Sequence, residues 1–259
     1  MGVTNIDNVL MILGVSTAMN ESERHAVTRE MMRGFNDKAN EAGTKVTGGQ
    51  SVMNPWPMIG GTAIAVIKKD KVILPNGAKP GDVLILTKPL GTQCIVNTVQ
   101  WFLESDKRWD KVKEYITEEE LWDINAKAEK SMSQLNKRGA ELMIKYKASA
   151  CTDVTGFGIK GHAENLVNAQ VKNVKFLINK LPVLNKMDLI NDKVHSFKLK
   201  EGFSPETSGG LFISMNRENA QKFVDEMNNA NEWAWIIGDV VENDSKAVEM
   251  NPNLEIISV

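Results

Sequence analysis

Apolar residues in the first part of the chain recur at helical spacing. Val27, Met31, Phe35, Ala39 and Ala42 follow one another every three or four positions, which predicts a helix opening near Asn20. Asn20 and Glu23 stand at capping-box spacing, and Gly43 closes the segment as a C′ glycine does. A short strand at 44–46 is expected to run into a turn at Thr47-Gly48-Gly49-Gln50-Ser51, and residues 62–67, rich in β-branched side chains, read as a further strand. Pro75, Asn76, Gly77, Pro80 and Gly81 then crowd into nine positions, which is linker chemistry. They divide the chain into 1–74 and 75–259.

In the second part, residues 83–87 form a buried-strand run and a helix is expected after Pro89-Leu90-Gly91. One long helix is predicted from Thr117, boxed with Glu120, its apolar face traced by Leu121, Ile124, Ala128, Met132, Leu135, Leu142 and Tyr146. Strands are expected at 174–178, 211–215, 235–241 and 254–259, with helices near 157–170 and 216–228. Strands and helices mix without strict alternation, so the fold class is α+β in two lobes.

Composition narrows the function classes. A net charge of −2 provides no basic surplus for a nucleic-acid backbone. No apolar run approaches the ~20 residues of a membrane span. Two isolated cysteines, Cys94 and Cys151, make neither a disulfide framework nor a zinc site, so a cytoplasmic setting is expected. His25, His162 and His195 stand apart from one another and from the cysteines at any ligand spacing.

Three segments carry candidate chemistry. Asp153, in Cys151-Thr152-Asp153-Val154-Thr155-Gly156-Phe157-Gly158, closes a short strand before glycines and a helix. An acid there suits a hard cation such as Mg²⁺, and equally suits an N-cap of the next helix. Gly48, Gly49, Gln50 and Ser51 follow a strand, where backbone amides can face phosphate oxygens or simply form a turn. Glu206-Thr207-Ser208-Gly209-Gly210 is a second glycine-rich strand entry. Gly156 to Gly161 spells G-x-G-x-x-G, but Asn179-Lys180-Leu181-Pro182 stands where a dinucleotide site needs an acid, so nicotinamide binding is rejected. No P-loop signature is present.

Gly43-Thr44-Lys45-Val46-Thr47-Gly48-Gly49-Gln50-Ser51, Asn54-Pro55-Trp56, Pro80-Gly81-Asp82-Val83-Leu84, Leu86-Thr87-Lys88-Pro89-Leu90-Gly91-Thr92, Thr152-Asp153-Val154-Thr155-Gly156-Phe157-Gly158 with Gly161-His162, and Pro205-Glu206-Thr207-Ser208-Gly209-Gly210 occur in this order. Over essentially its whole length the chain resembles eukaryotic-type selenophosphate synthetases (selenide, water dikinases). The resemblance implies a two-lobed fold like aminoimidazole ribonucleotide synthase, a homodimer, and conversion of ATP, selenide and water to selenophosphate, AMP and phosphate. It implies that Gly48, Gly49, Gln50 and Ser51 contact ATP and that Asp153 binds Mg²⁺. The family's nucleophilic cysteine or selenocysteine, its lysine and most of its metal-binding aspartates align upstream of Met1. A truncated chain, inactive as given, is therefore expected. The competing readings are a non-catalytic scaffold and another enzyme of the same superfold, such as thiamine-phosphate kinase.

Overall fold

The chain is described by a computed structural model covering residues 2–259, which divide into two compact units, Gly2–Val72 and Ile73–Val259. The first is a three-stranded sheet with one helix. Strand β1 (Asn8–Ser16) lies between β2 (Val46–Asn54), parallel to it, and β3 (Met58–Ile64), antiparallel. Helix α1 (Glu21–Ala42) connects β1 to β2, opened by the Asn20–Glu23 capping box and closed by Gly43 at φ 83°. Val27, Met31, Phe35, Ala39 and Ala42 are its half-buried or buried stripe. Phe35 packs at Gly61 of β3, where a Cβ would stand 2.5 Å from the ring. Residue 61 therefore has to be glycine for the helix to lie this close.

Two expectations change here. Residues 47–51 are not a turn: β2 runs through them, with Gly48, Gly49, Gln50 and Ser51 paired to Leu10, Met11, Ile12 and Leu13. Gly49 adopts φ +143°, and a Cβ on it would lie 1.8 Å from the Met11 carbonyl oxygen. Gly49 thus serves close strand approach rather than reversal. The third strand is 58–64 rather than 62–67, because its pairing with β1 begins at Met58↔Gly14. Strand β1 had no counterpart in the sequence reading.

The second unit is a six-stranded sheet in the order β5-β7-β4-β8-β6-β9, built from β4 (Asp82–Leu86), β5 (Ala150–Asp153), β6 (Val174–Val183), β7 (Leu211–Asn216), β8 (Trp235–Glu242) and β9 (Ala247–Ser258). Neighbours are antiparallel except β6 and β9. Every residue of β4 is buried: Leu84 and Leu86 belong to one apolar cluster, Val83 and Ile85 to another. Alternate side chains point to opposite faces of a strand, so this sheet is covered on both sides. One layer holds α2 (Thr92–Leu103), α4 (Glu118–Ser133), α6 (Gly158–Asn168) and α7 (Met187–Lys193). The other holds α5 (Lys137–Lys145) and α8 (Arg217–Asn229). A short helix α3 (Lys107–Val112) packs beside α2.

The long helix expected from Thr117 is two helices. The capping box of Thr117 and Glu120 opens α4, but the chain leaves helical geometry at Gln134 (ψ 130°) and α5 starts anew after Asn136. The buried ammonium of Lys88 donates to the Gln134 carbonyl at 2.7 Å, so a partner outside the helix takes that oxygen. The 83–87 strand, the helix after Gly91 and the strands and helices around 157–241 are present, with β6 and β9 extending well beyond their expected ends. β5 and β6, which flank α6, are separated by three strands in the sheet, unlike the adjacent strands of a dinucleotide fold.

Candidate active site

In the second unit, three glycine-bearing motifs knit into one hub at strand ends. The Val154 amide donates to the Gly210 carbonyl at 2.9 Å, and the Glu206 amide to the Thr155 carbonyl at 3.1 Å. The Leu211 amide donates to the Thr87 hydroxyl at 2.8 Å. A Cβ on Gly209 would lie 2.0 Å from the Val154 oxygen, so the motif's glycines permit backbone contact.

Two charged side chains hold the hub from inside. Glu206, only 5% exposed, accepts from the Gly91 amide (2.8 Å), the Thr92 amide (2.9 Å) and the Thr92 hydroxyl (2.5 Å). It caps α2 from a distant segment, since the N-cap residue Gly91 carries no side chain to do so. Burial pushes the Glu206 carboxyl up to about 7, against the pull of the bonds from Gly91 and Thr92. Lys88, 2% exposed, donates to the carbonyls of Gln134 and Ser208 at 2.7 and 2.8 Å. The sequence reading had not singled out Lys88, and had treated Glu206 as part of a backbone entry. The available signal was a lysine two residues past the apolar run Val83-Leu84-Ile85-Leu86.

Asp153 ends β5 with its carboxylate exposed. It is not the cap of α6: the N-cap is Phe157, without a side-chain cap bond. His162, on the first turns of α6, accepts from the Thr155 amide at Nε2 (2.9 Å), and burial lowers its pKa while the charge of Asp153 raises it. The neutral ring thus fixes the backbone two residues beyond Asp153. Cys94 and Cys151 are buried thiols pushed up to about 12, chiefly by burial, which makes them unreactive.

Gly48, Gly49, Gln50 and Ser51 belong to the first unit. With Met11, Leu13, Met32 and Val46 they line a cavity of about 290 Å³. β2 is an edge strand, so amides on its outer side face away from β1. Among the described residues, no group of three or more His, Cys, Asp or Glu is arranged to hold a metal ion. Asp153 fits as one oxygen ligand of a Mg²⁺ whose remaining ligands are phosphate and water, the usual arrangement for that ion.

Family models described as AIR synthase related protein match the chain twice, the N-terminal domain over residues 1–67 and the C-terminal domain over 79–251. A selenide, water dikinase of Dictyostelium discoideum is 47% identical over 99% of this chain and 70% of its own length. Selenide, water dikinase 3 of Danio rerio is 46% identical over 100% of this chain and 61% of its own. The chain thus spans three-fifths to seven-tenths of these relatives. A crystal structure of the hydrogenase maturation protein HypE in complex with ATP superposes with a TM-score of 0.68 at 15% identity, covering 95% of this chain and 70% of that one, which shows the fold. The α+β fold is therefore that of the AIR synthase group, and by its 47% identity to the Dictyostelium relative the chain belongs to the selenide, water dikinase family.

Proposed function

We propose that this chain carries the ATP-handling part of an enzyme making selenophosphate from ATP, selenide and water, with AMP and phosphate as the other products. The observation that carries the reading is the cavity walled by Gly48, Gly49, Gln50 and Ser51, the residues the family resemblance assigns to ATP. The ATP in the HypE complex supports nucleotide use by the fold, and the relatives' names supply the selenium chemistry. Asp153 serves as one Mg²⁺ ligand, offering a carboxylate that no capping bond engages. Bound Mg²⁺ neutralises phosphate charge during transfer. The enzyme works as a cytoplasmic homodimer paired through the sheet of the first unit.

Titration calorimetry with ATP and Mg²⁺ tests the binding claim. Gln50→Ala weakens ATP, and Asp153→Asn weakens the gain in affinity that Mg²⁺ brings. ATP affinity indifferent to Gln50 sinks the assignment of that wall. A coupled assay of AMP release tests the activity claim: release that depends on selenide supports it, and ATP use indifferent to selenide overturns it.

A further inference from the structure

A second cavity, of about 310 Å³, lies wholly within the second unit and is lined by Phe157, Gly161, Glu164, Asn165 and Phe203. Its aromatic walls are unusually open: Phe157 is 67% exposed and Phe203 40%. Large apolar groups left in solvent and rimmed by polar ones mark binding surfaces. The backbone segments that carry the two rings are tied together. The Lys160 amide donates to the Gly202 carbonyl at 2.8 Å, and the Phe203 amide to the Lys198 carbonyl at 3.0 Å. Gly158, at φ +69°, lets the loop press on the helix start, since a Cβ there would lie 2.5 Å from the Gly202 oxygen. A Cβ on Gly161 would lie 2.8 Å from the Phe157 Cβ, so the Phe157 side chain rests across a position kept bare for it. The ring also leans on His162, centroids 5.6 Å apart. A ring whose backbone and one face are already positioned gives up less freedom when a ligand stacks on it.

The polar rim narrows the ligand class. Glu164 accepts hydrogen bonds from amino groups, and the Asn165 carboxamide both donates and accepts, which matches the edge of an aminated nitrogen heterocycle. An aromatic wall beside a carboxylate also suits a small organic cation, but the Lys160 ammonium already stands 5.1 Å from the Phe203 ring and fills that role. The cavity is also large for a methylated ammonium and roomy enough for a bicyclic base. We propose that this cleft binds the base of a purine nucleoside, stacked on Phe157, with Glu164 and Asn165 reading its amino-bearing edge. The cleft is built from the second unit alone, and the proposal does not depend on the assignment of Gly48, Gly49, Gln50 and Ser51 in the first.

Ligand-observed NMR and calorimetry on the 259-residue chain test it, with adenosine as the probe and tetramethylammonium as the cation comparison. Adenosine binds saturably and tetramethylammonium does not. Phe157→Ala weakens adenosine by about tenfold, the size of one lost base–aromatic stack, while Phe157→Trp keeps it. Glu164→Gln weakens it as well. A mainly exposed ring adds little to stability, so the melting temperature of Phe157→Ala stays at the parent value and reports an intact fold. Absence of saturable adenosine binding, or preference for the cation, overturns the proposal. So does affinity that survives Phe157→Ala but falls with Gln50→Ala, which assigns the nucleoside to the first unit instead.

Discussion

Glu206 sits between opposing demands. Burial disfavours its charge, whereas three donors and the N-terminus of α2 favour it, and burial wins enough to raise the carboxyl from 4.5 to about 7. A group whose folded pKa exceeds its unfolded one binds a proton more tightly in the native chain. The resulting stability is complete below the unfolded pKa and fades as pH rises through the folded one. The displacement corresponds to on the order of 3 kcal/mol between protonation states. Glu206→Gln abolishes this titration. The melting temperature of the parent relative to that variant is therefore expected to fall as pH climbs from 4.5 to beyond 7, and to level off on either side. A difference that does not vary with pH shows that the three donors cancel burial and leave the carboxyl at its ordinary pKa, and one that rises with pH shows that the donors outweigh burial.

Elements in the second unit are placed by side chains far away in sequence. Lys88, just after β4, holds the Gln134 carbonyl 46 residues on and the Ser208 carbonyl 120 residues on. Lys88→Met keeps the stem's bulk but strands both oxygens in a buried place, with an expected loss of about 2–4 kcal/mol. The midpoint of urea unfolding measures it, and a change within about 0.5 kcal/mol shows that the carbonyls find other partners.

The same distances explain what the sequence could and could not disclose. Capping boxes at Asn20 and Thr117 are local, and both were legible, as were α2 after Gly91 and the buried run of β4. The break between α4 and α5 was not, because the group that satisfies the Gln134 carbonyl there is a lysine in another segment. Residues 47–51 looked like a turn because glycine is read locally as reversal, whereas here Gly49 answers to the Met11 carbonyl across the strand pair. For the site, the order of the motifs pointed to the family and to Asp153 and residues 48–51. Nothing local announced that Glu206 reaches Gly91 and Thr92, 115 and 114 residues away, or that Phe203 shares a cleft with Phe157.

At the scale of the whole molecule, β1 explains its own concealment and points to a partner. Val9, Met11 and Leu13 are buried, while the residues between them, Leu10 and Ile12, are also apolar yet 37% and 49% exposed. An apolar strand with both faces greasy shows no alternation to read. The register places Val52 and Met58 opposite Gly14, and Ile64 opposite Asn8, so these share the outer face with Leu10 and Ile12. All three are more than 40% exposed. A contiguous face of that kind, on a sheet bounded by edge strands β2 and β3, fits the apolar core of an obligate interface. In the homodimer proposed for this family member, a second copy covers it. Ile12→Lys puts an ammonium at the centre of that face without touching the residues beneath, so the variant should stay folded by circular dichroism and elute as a monomer. Light scattering on the parent should return twice the mass of one chain. A parent that stays monomeric at high concentration rules out self-pairing through this sheet, and a dimer untouched by Ile12→Lys puts the contact elsewhere.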